Sequence, residues 1–237
     1  MPVTKENPAS FGNFLRAPSS RLREWVRCRP WLLVKFCVAI IVVGSGMYGA
    51  VMGSWRSPLQ ALYTGIKLPL VILLTTLGNG LLNGMLAPLL GLNLTFRQSL
   101  VVILMSFALM SAVLGALTPV AWFVVWNTPP LTPALQLSSS EYGAMQLALA
   151  GFIALAGVAG NAHLLPLLSE WARSRVVAVK VLLAWLAGNM FLGSQIAWVL
   201  RPFIWDPARP VEFIGREYFH GSFYETVFDA ARRLIFS

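Results

Sequence analysis

Residues 181–203, with the sequence VLLAWLAGNMFLGSQIAWVLRPF, decide the fold class of this chain. The first twenty positions carry no charge, and they are apolar or small except at Asn189, Ser194 and Gln195. A helix of about 20 such residues is long enough to cross the hydrocarbon core of a bilayer. Arg201 then places a cation at the level expected for lipid headgroups. The stretch therefore predicts a transmembrane helix.

The composition extends this interpretation to the whole chain. Of the 237 residues, 57% are hydrophobic and 11% are charged, with a mean hydropathy of +0.69, whereas soluble domains are about 25% charged. The net charge of +9 fits the excess of Lys and Arg in cytoplasmic loops and contact with anionic headgroups. The basic residues do not form a patch on a soluble fold. We therefore expect membrane lipids as partners and no nucleic acid.

Apolar runs of transmembrane length recur along the chain, and shorter amphipathic stretches accompany them. These amphipathic stretches are residues 20–29 and 54–67, and we expect both to lie in the membrane interface. In the first, Leu22, Trp25 and Val26 would face the lipid. The sequence thus predicts an all-α fold, a polytopic membrane helix bundle of about five transmembrane helices plus interfacial amphipathic helices. The expected spans are residues 31–53, 68–90, 100–126, 143–168 and 181–203.

The distribution of basic residues predicts the orientation. Lys and Arg are concentrated in residues 1–30, at Arg97 and in a short loop at residues 173–180, while residues 127–142 contain none. Since cytoplasmic loops are enriched in basic residues, we expect a bacterial inner-membrane protein with a cytoplasmic N-terminus and an extracytoplasmic C-terminus. The expected domains are a basic cytoplasmic segment (1–30), a transmembrane domain (31–203) and an extracytoplasmic tail with an amphipathic helix (204–237).

Small residues at helical spacing mark faces where helices can approach closely. Ser45, Gly49 and Gly53 recur every four residues in the first span, and Gly80 and Gly84 do so in the second. Such patterns are typical of helix–helix contacts in membranes. We expect these five residues to pack against other helices.

Amide side chains are the main polar groups inside the predicted spans. Asn79 and Asn83 lie four residues apart and therefore share a helix face. Together with Asn161 and Asn189 they form a candidate polar intramembrane site. Two interpretations remain open, namely hydrogen bonds between helices and a site for a substrate.

The tail contains a helix start that can be identified from two residues. Ser222 and Glu225 match the Ser-x-x-Glu capping box, in which each side chain accepts a hydrogen bond from the other residue's backbone N–H. The apolar residues that follow predict an amphipathic helix. It is expected to dock either on the membrane surface or on the protein itself.

The end of the fifth span and the tail resemble the signature of an uncharacterised family of bacterial polytopic inner-membrane proteins. The resemblance extends back to Gln60, Lys67 and Pro69, and it implies no activity. Within the signature we interpret Gln195, Trp198, Arg201 and Phe203 as candidate lipid- or partner-binding residues. A purely structural role for Arg201, capping the helix end, is the alternative. The matching positions are Gly193, Gln195, Trp198, Leu200, Arg201, Pro202, Phe203, Pro210, Phe213, Phe223, Tyr224 and Glu225.

Titratable groups are too scattered to predict an enzyme. The predicted spans contain no acidic residue, and His163 and His220 are expected on opposite sides of the membrane. Cys28 and Cys37 would lie about 13 Å apart on one helix, too far for a disulfide. We expect no catalytic residue, no metal and no cofactor.

The remaining classes act by binding or by conduction. We expect a non-catalytic accessory, assembly or scaffold subunit of a larger membrane complex, with other membrane proteins as partners. The alternative is a permease or channel for a small neutral or lipidic molecule. An ion-coupled transporter would usually carry a charged side chain inside a span, and the predicted spans show none beyond their edges.

Overall fold

The computed structural model describes residues 11–92, 94–129, 140–202, 210–215, 222 and 224–225. Within these residues the secondary structure is helical, apart from one isolated antiparallel bridge between Leu92 and Ala172. Five helical segments are long and apolar enough to cross a membrane, so the prediction of an all-α fold with five such helices is confirmed. These segments are Pro30–Ser54, Pro58–Leu86, Phe96–Asn127, Tyr142–Ser169 and Arg175–Leu200.

The helices are numbered in chain order. Two of the spans are interrupted, the first by a π-helical turn and the fourth by a break at His163. The described helices are α1 (Phe11–Arg16), α2 (Ser19–Cys28), α3 (Pro30–Ile40), the π turn (Ile41–Ser45), α4 (Gly46–Ser54), α5 (Pro58–Leu89), α6 (Phe96–Asn127), α7 (Ser140–Ala162), α8 (Leu164–Ser169) and α9 (Arg175–Leu200).

The central helix of the bundle is α6, which contacts α2, α3, α4, α5 and α7. It begins with a capping box, in which the Thr95 hydroxyl accepts from the Gln98 backbone N–H and the Gln98 side chain accepts from the Thr95 N–H. The π turn packs closely on α6, because a Cβ on Gly44 would collide with the Ser111 carbonyl. The first span therefore needs glycine at that contact.

A tight hairpin joins α4 to α5. A Cβ added to Gly49 would lie 2.6 Å from the Thr64 carbonyl oxygen, and one added to Gly53 would lie 2.5 Å from the Gln60 carbonyl oxygen. Glycines at these positions let the two backbones approach closely, as expected for membrane helices. Ser45 precedes them and is fully buried in the π turn.

The prediction of a separate interfacial helix at residues 54–67 is wrong. The Ser57 hydroxyl accepts from the Gln60 N–H at 3.1 Å, and the helix then runs without a break over Pro58–Leu89. The polar side chains of its first turns, Gln60 and Thr64, are buried against the bundle rather than facing water. A polar face can therefore belong to a spanning helix when protein covers it.

The loop predicted at residues 173–180 ends earlier than expected. The Ser174 hydroxyl accepts from the Val177 N–H, and α9 begins at Arg175. Arg175 and Lys180 therefore lie in the first turns of α9 rather than in a loop. A capping serine ahead of a helix-forming run explains the early start.

The helix α2 packs on protein, which contradicts the prediction that its apolar face lies on lipid headgroups. Leu22, Trp25 and Val26 are buried, and α2 contacts α3, α6 and α8. Arg23 forms an ion pair with Glu170 at 3.7 Å and donates to the Glu170 carbonyl at 3.2 Å. The segment is thus held to the connection before α9.

The described part of the tail includes the predicted capping box. The Ser222 N–H donates to Glu225 Oε2 at 2.9 Å, and the Glu225 N–H donates to the Ser222 hydroxyl at 3.1 Å. Tyr224 stacks on Phe191 of α9, and its hydroxyl lies 2.8 Å from the Ser194 hydroxyl. The helix predicted after Glu225 lies outside the described residues.

Candidate intramembrane polar site

One face of α5 carries a line of buried side chains at four-residue spacing, of which Thr75, Asn79 and Asn83 face α9. They begin with a lysine, continue through one valine and one threonine, and end with two asparagines. Each is less than one-tenth exposed. Residues four apart lie on one side of a helix, so the line follows one side of α5 along most of its length. Its members are Lys67, Val71, Thr75, Asn79 and Asn83.

Three asparagines in this interface form one hydrogen-bonded chain. Asn83 Nδ2 donates to the Asn79 side-chain oxygen and to the Asn79 carbonyl. Asn79 Nδ2 donates in turn to the Asn189 side-chain oxygen and to the Trp185 carbonyl of α9. Hydrogen bonds between helices, one of the two interpretations open from the sequence, are therefore what the structure shows for Asn79 and Asn189.

Glycines on α9 provide the space that these amides occupy. A Cβ on Gly188 would collide with Asn79 Oδ1, and one on Gly193 would lie 3.5 Å from Thr75 Cγ2. Sequence analysis did not identify Gly188 as a packing position. Its signal is its place directly before Asn189, five residues ahead of Gly193.

The other predicted packing glycines of α5 face a different neighbour. A Cβ on Gly80 would collide with the Leu100 side chain, and one on Gly84 would collide with the Phe96 side chain, both of α6. These two glycines therefore serve the contact between α5 and α6. Asn79 and Asn83 thus face α9, whereas Gly80 and Gly84 face α6.

Lys67 is the functional candidate that sequence analysis missed. It is 2% exposed although it lies within a membrane-length helix. Its Nζ donates to the Glu212 carbonyl at 3.4 Å and lies 5.3 Å from the centre of the Phe213 ring, on which Tyr63 packs edge-to-face. The sequence analysis placed residues 54–67 in an interfacial helix, and a lysine at the end of such a helix is expected to be exposed. The signal available was its four-residue spacing to the polar positions that follow.

Three of the four predicted lipid- or partner-binding residues, Gln195, Trp198 and Arg201, are described, and they lie on α9 or directly after it. Arg201 follows the last residue of α9 in a left-handed conformation, with φ +43°, and its backbone N–H donates to the Ala197 carbonyl at 2.8 Å. Its guanidinium lies 4.7 Å from the Trp198 ring centre. This cation–π contact joins the two residues. Gln195 is half-buried on α9, and Phe203 lies outside the described residues.

Asn161 does not belong to this cluster. Its side chain donates to the Gly157 carbonyl of its own helix at 2.7 Å. Its side-chain oxygen is buried and has no hydrogen-bond partner among the described residues, and no contact joins Asn161 to the amides of α5 and α9. Of the four predicted intramembrane asparagines, the structure thus brings together Asn79, Asn83 and Asn189.

Three buried polar atoms of this interface have no hydrogen-bond partner among the described residues. They are Thr75 Oγ1, Asn83 Oδ1 and Trp185 Nε1. Buried polar atoms in native proteins are usually paired, and leaving one unpaired costs about 1–3 kcal/mol. The interface therefore has capacity to bind molecules that donate or accept hydrogen bonds.

The chemistry of this interface is that of neutral amides, hydroxyl groups and an indole. Such groups bind uncharged polar molecules and stabilise helix contacts, and they do not exchange protons near neutral pH. Across the described segments, no three His, Cys, Asp or Glu side chains come together in a group that could hold a metal ion. Hydrogen bonding is thus the chemistry that these described side chains offer, with the Lys67 ammonium as the charged group at the start of the line.

Comparisons of the chain with protein-family models, with curated proteins and with solved structures found no match. The resemblance of the C-terminal segment to an uncharacterised family therefore stays a prediction. Function has to be inferred from the site and the exposed faces.

Proposed function

We propose that the protein is a non-catalytic subunit or assembly partner of a larger membrane complex, and that α7 is the helix that binds the partner. The observation that carries the proposal is an exposed face of α7 that combines small and large apolar residues and that the described residues leave uncovered. Among the most apolar 18 residues of the fourth span, 22% are buried, compared with 56% in α6. The fourth span is therefore peripheral, as is the fifth, of whose corresponding residues 17% are buried and which packs on α5 through α9.

Small residues lie on the outer side of α7. Ala150, Gly151 and Ala154 are exposed, and a Cβ placed on Gly151 would have no atom of the described chain within 4 Å. By contrast, Gly160 of the same helix faces α6, where a Cβ would lie 2.7 Å from the Ser106 carbonyl. Small residues lower the barrier to close helix approach. A transmembrane helix of another subunit is the partner that fits this face.

The test is purification in a mild detergent from the native membrane, followed by quantitative mass spectrometry. We expect a stoichiometric partner with the wild-type chain, and at least a fivefold lower recovery of that partner with Gly151→Leu or Ala154→Leu. The matched control is Ala187→Leu, a small-to-large change at an exposed position of α9. Equal recovery from all four chains, or no stoichiometric partner, would contradict the proposal.

A second candidate function rests on the polar line of α5. From Lys67 to Asn83 the line spans sixteen residues, or about 24 Å at 1.5 Å per residue, which is most of a hydrocarbon core of about 30 Å. Hydrogen-bonding side chains at four of the five positions of this line, all but Val71, support conduction of a small neutral molecule. Such a permease would use the interface between α5 and α9 as its pathway.

Reconstitution into liposomes distinguishes the two functions. The probes are glycerol and urea, followed by stopped-flow light scattering at equal amounts of folded protein. A permease should raise the permeability above that of protein-free vesicles, and Asn79→Leu should abolish the increase. The control is Thr76→Val, because the Thr76 hydroxyl bonds the Ile72 carbonyl of its own helix at 2.7 Å. Permeability no higher than that of empty vesicles would exclude the permease for both probes.

A further inference from the structure

The helices α5 and α9 pack antiparallel in a regular register. Thr75 lies against Gly193, where a Cβ would be 3.6 Å from Thr75 Oγ1. Asn79 lies four residues after Thr75 on α5, and it donates a hydrogen bond to Asn189, which lies four residues before Gly193 on α9. Since both helices rise 1.5 Å per residue, the same step places Asn83 level with Trp185. A Cβ on the neighbouring Gly188 would lie 3.6 Å from Asn83 Nδ2, so the Asn83 amide faces α9.

Asn83 and Trp185 present complementary atoms at this level. Asn83 Oδ1 is an acceptor and Trp185 Nε1 is a donor, and neither has a hydrogen-bond partner within the described part of the chain. Both side chains are 1% exposed. By comparison, Thr75 Oγ1 is level with a glycine, which has no side chain to complement it.

The orientation of the Asn83 amide is fixed by its neighbours. The atoms next to Asn83 Nδ2 are the Asn79 carbonyl and the Asn79 side-chain oxygen, and both are acceptors. A flipped Asn83 amide would place its oxygen against these two acceptors, which is unfavourable. The unpartnered atom is therefore the oxygen, and it can only accept a hydrogen bond.

We propose that Asn83 and Trp185 bind a small neutral molecule between α5 and α9, which accepts from the indole N–H and donates to the amide oxygen. Water is the smallest molecule with this chemistry, and it commonly satisfies buried polar groups. Trp185 lies ten residues into α9, or about 15 Å from its start, so the site is at membrane depth. The site lies on the polar line that a permease would use, and its occupation does not itself require conduction.

The experiment uses the full chain in deuterated detergent micelles, labelled with 15N at tryptophan. The Trp185 indole signal is assigned by its loss in Trp185→Phe. We expect a dipolar cross-peak between this N–H and the water resonance in the wild type. Cross-peaks to carbon-bound protons of a small molecule instead would support the same site and show an organic ligand. A wild-type indole N–H with neither kind of cross-peak would overturn the proposal.

Variants of the acceptor test whether Asn83 holds the bound molecule. Asn83→Leu should weaken the cross-peak at least fivefold, while Thr76→Val should leave it unchanged. An undiminished cross-peak in a folded Asn83→Leu protein would show that Asn83 does not bind the molecule, and would overturn the proposal. If Asn83→Leu does not fold, the wild-type spectrum alone decides the outcome.

Discussion

Replacement of Asn79 by leucine should destabilise the contact between α5 and α9. The Asn79 amide donates to the Asn189 side chain and to the Trp185 carbonyl, and both bonds join the two helices. Interhelical hydrogen bonds in membranes contribute about 0.6 kcal/mol on average and at most about 1.7 kcal/mol. Losing two of them should therefore lower the free energy of unfolding by about 1–3 kcal/mol, because leucine has the same number and branching of side-chain heavy atoms and leaves no cavity.

The assay is equilibrium unfolding in mixed micelles, with the helix content followed by circular dichroism. Thr76→Val is the matched control, because it removes a buried hydroxyl of the same helix that bonds its own backbone. We expect the control to lower the free energy of unfolding by less than about 1 kcal/mol, the net value of one ordinary hydrogen bond. If Asn79→Leu and Thr76→Val have the same effect, the amide chain does not hold α5 to α9.

Further predictions concern three other contacts of the described chain. Gly49→Leu should prevent the wild-type fold from forming, because the new side chain would push the backbone of α5 away from α4, and size-exclusion chromatography should show aggregation. Lys67→Met should release residues 210–215, since it removes a hydrogen bond and a cation–π contact; amide exchange there should become about fivefold faster, as expected for about 1 kcal/mol. Arg23→Gln should lower the free energy of unfolding by less than about 1 kcal/mol, because its ion pair with Glu170 is partly exposed and such pairs are weak; a larger loss would show that α2 depends on this ion pair.

Hydrophobicity and helix length were sufficient to predict the five membrane-length helices. Uncharged apolar runs of this length are typical of transmembrane helices and not of helices in soluble proteins. The number and approximate limits of the helices therefore followed directly from the sequence. The capping box at Ser222 and Glu225 was also predictable, because it depends on two residues three positions apart. Local patterns of this kind are reliable since they need no information about distant contacts.

Features that depend on which neighbour covers a face could not be predicted from the sequence. The first turns of α5 are as polar as a surface helix, and only packing shows that Gln60, Thr64 and Lys67 are buried. The apolar face of α2 suits lipid and protein equally well, so its burial against α8 was not foreseeable. The sequence identified Asn79, Asn83, Asn161 and Asn189 as candidates. Only the register of α5 and α9 shows that Asn189, and not Asn161, bonds Asn79.

The most direct test of the packing between α5 and α9 is a disulfide cross-link. A Cβ on Gly193 would lie 3.5 Å from Thr75 Cγ2 and 3.6 Å from Thr75 Oγ1, so the Sγ of a cysteine at position 75 would lie next to a cysteine at position 193. In a chain with Cys28 and Cys37 replaced by serine, Thr75→Cys with Gly193→Cys should cross-link in native membranes under mild oxidation. The off-register pair Thr76→Cys with Gly193→Cys should not. Cross-linking of the second pair but not the first would contradict the register and the site built on it.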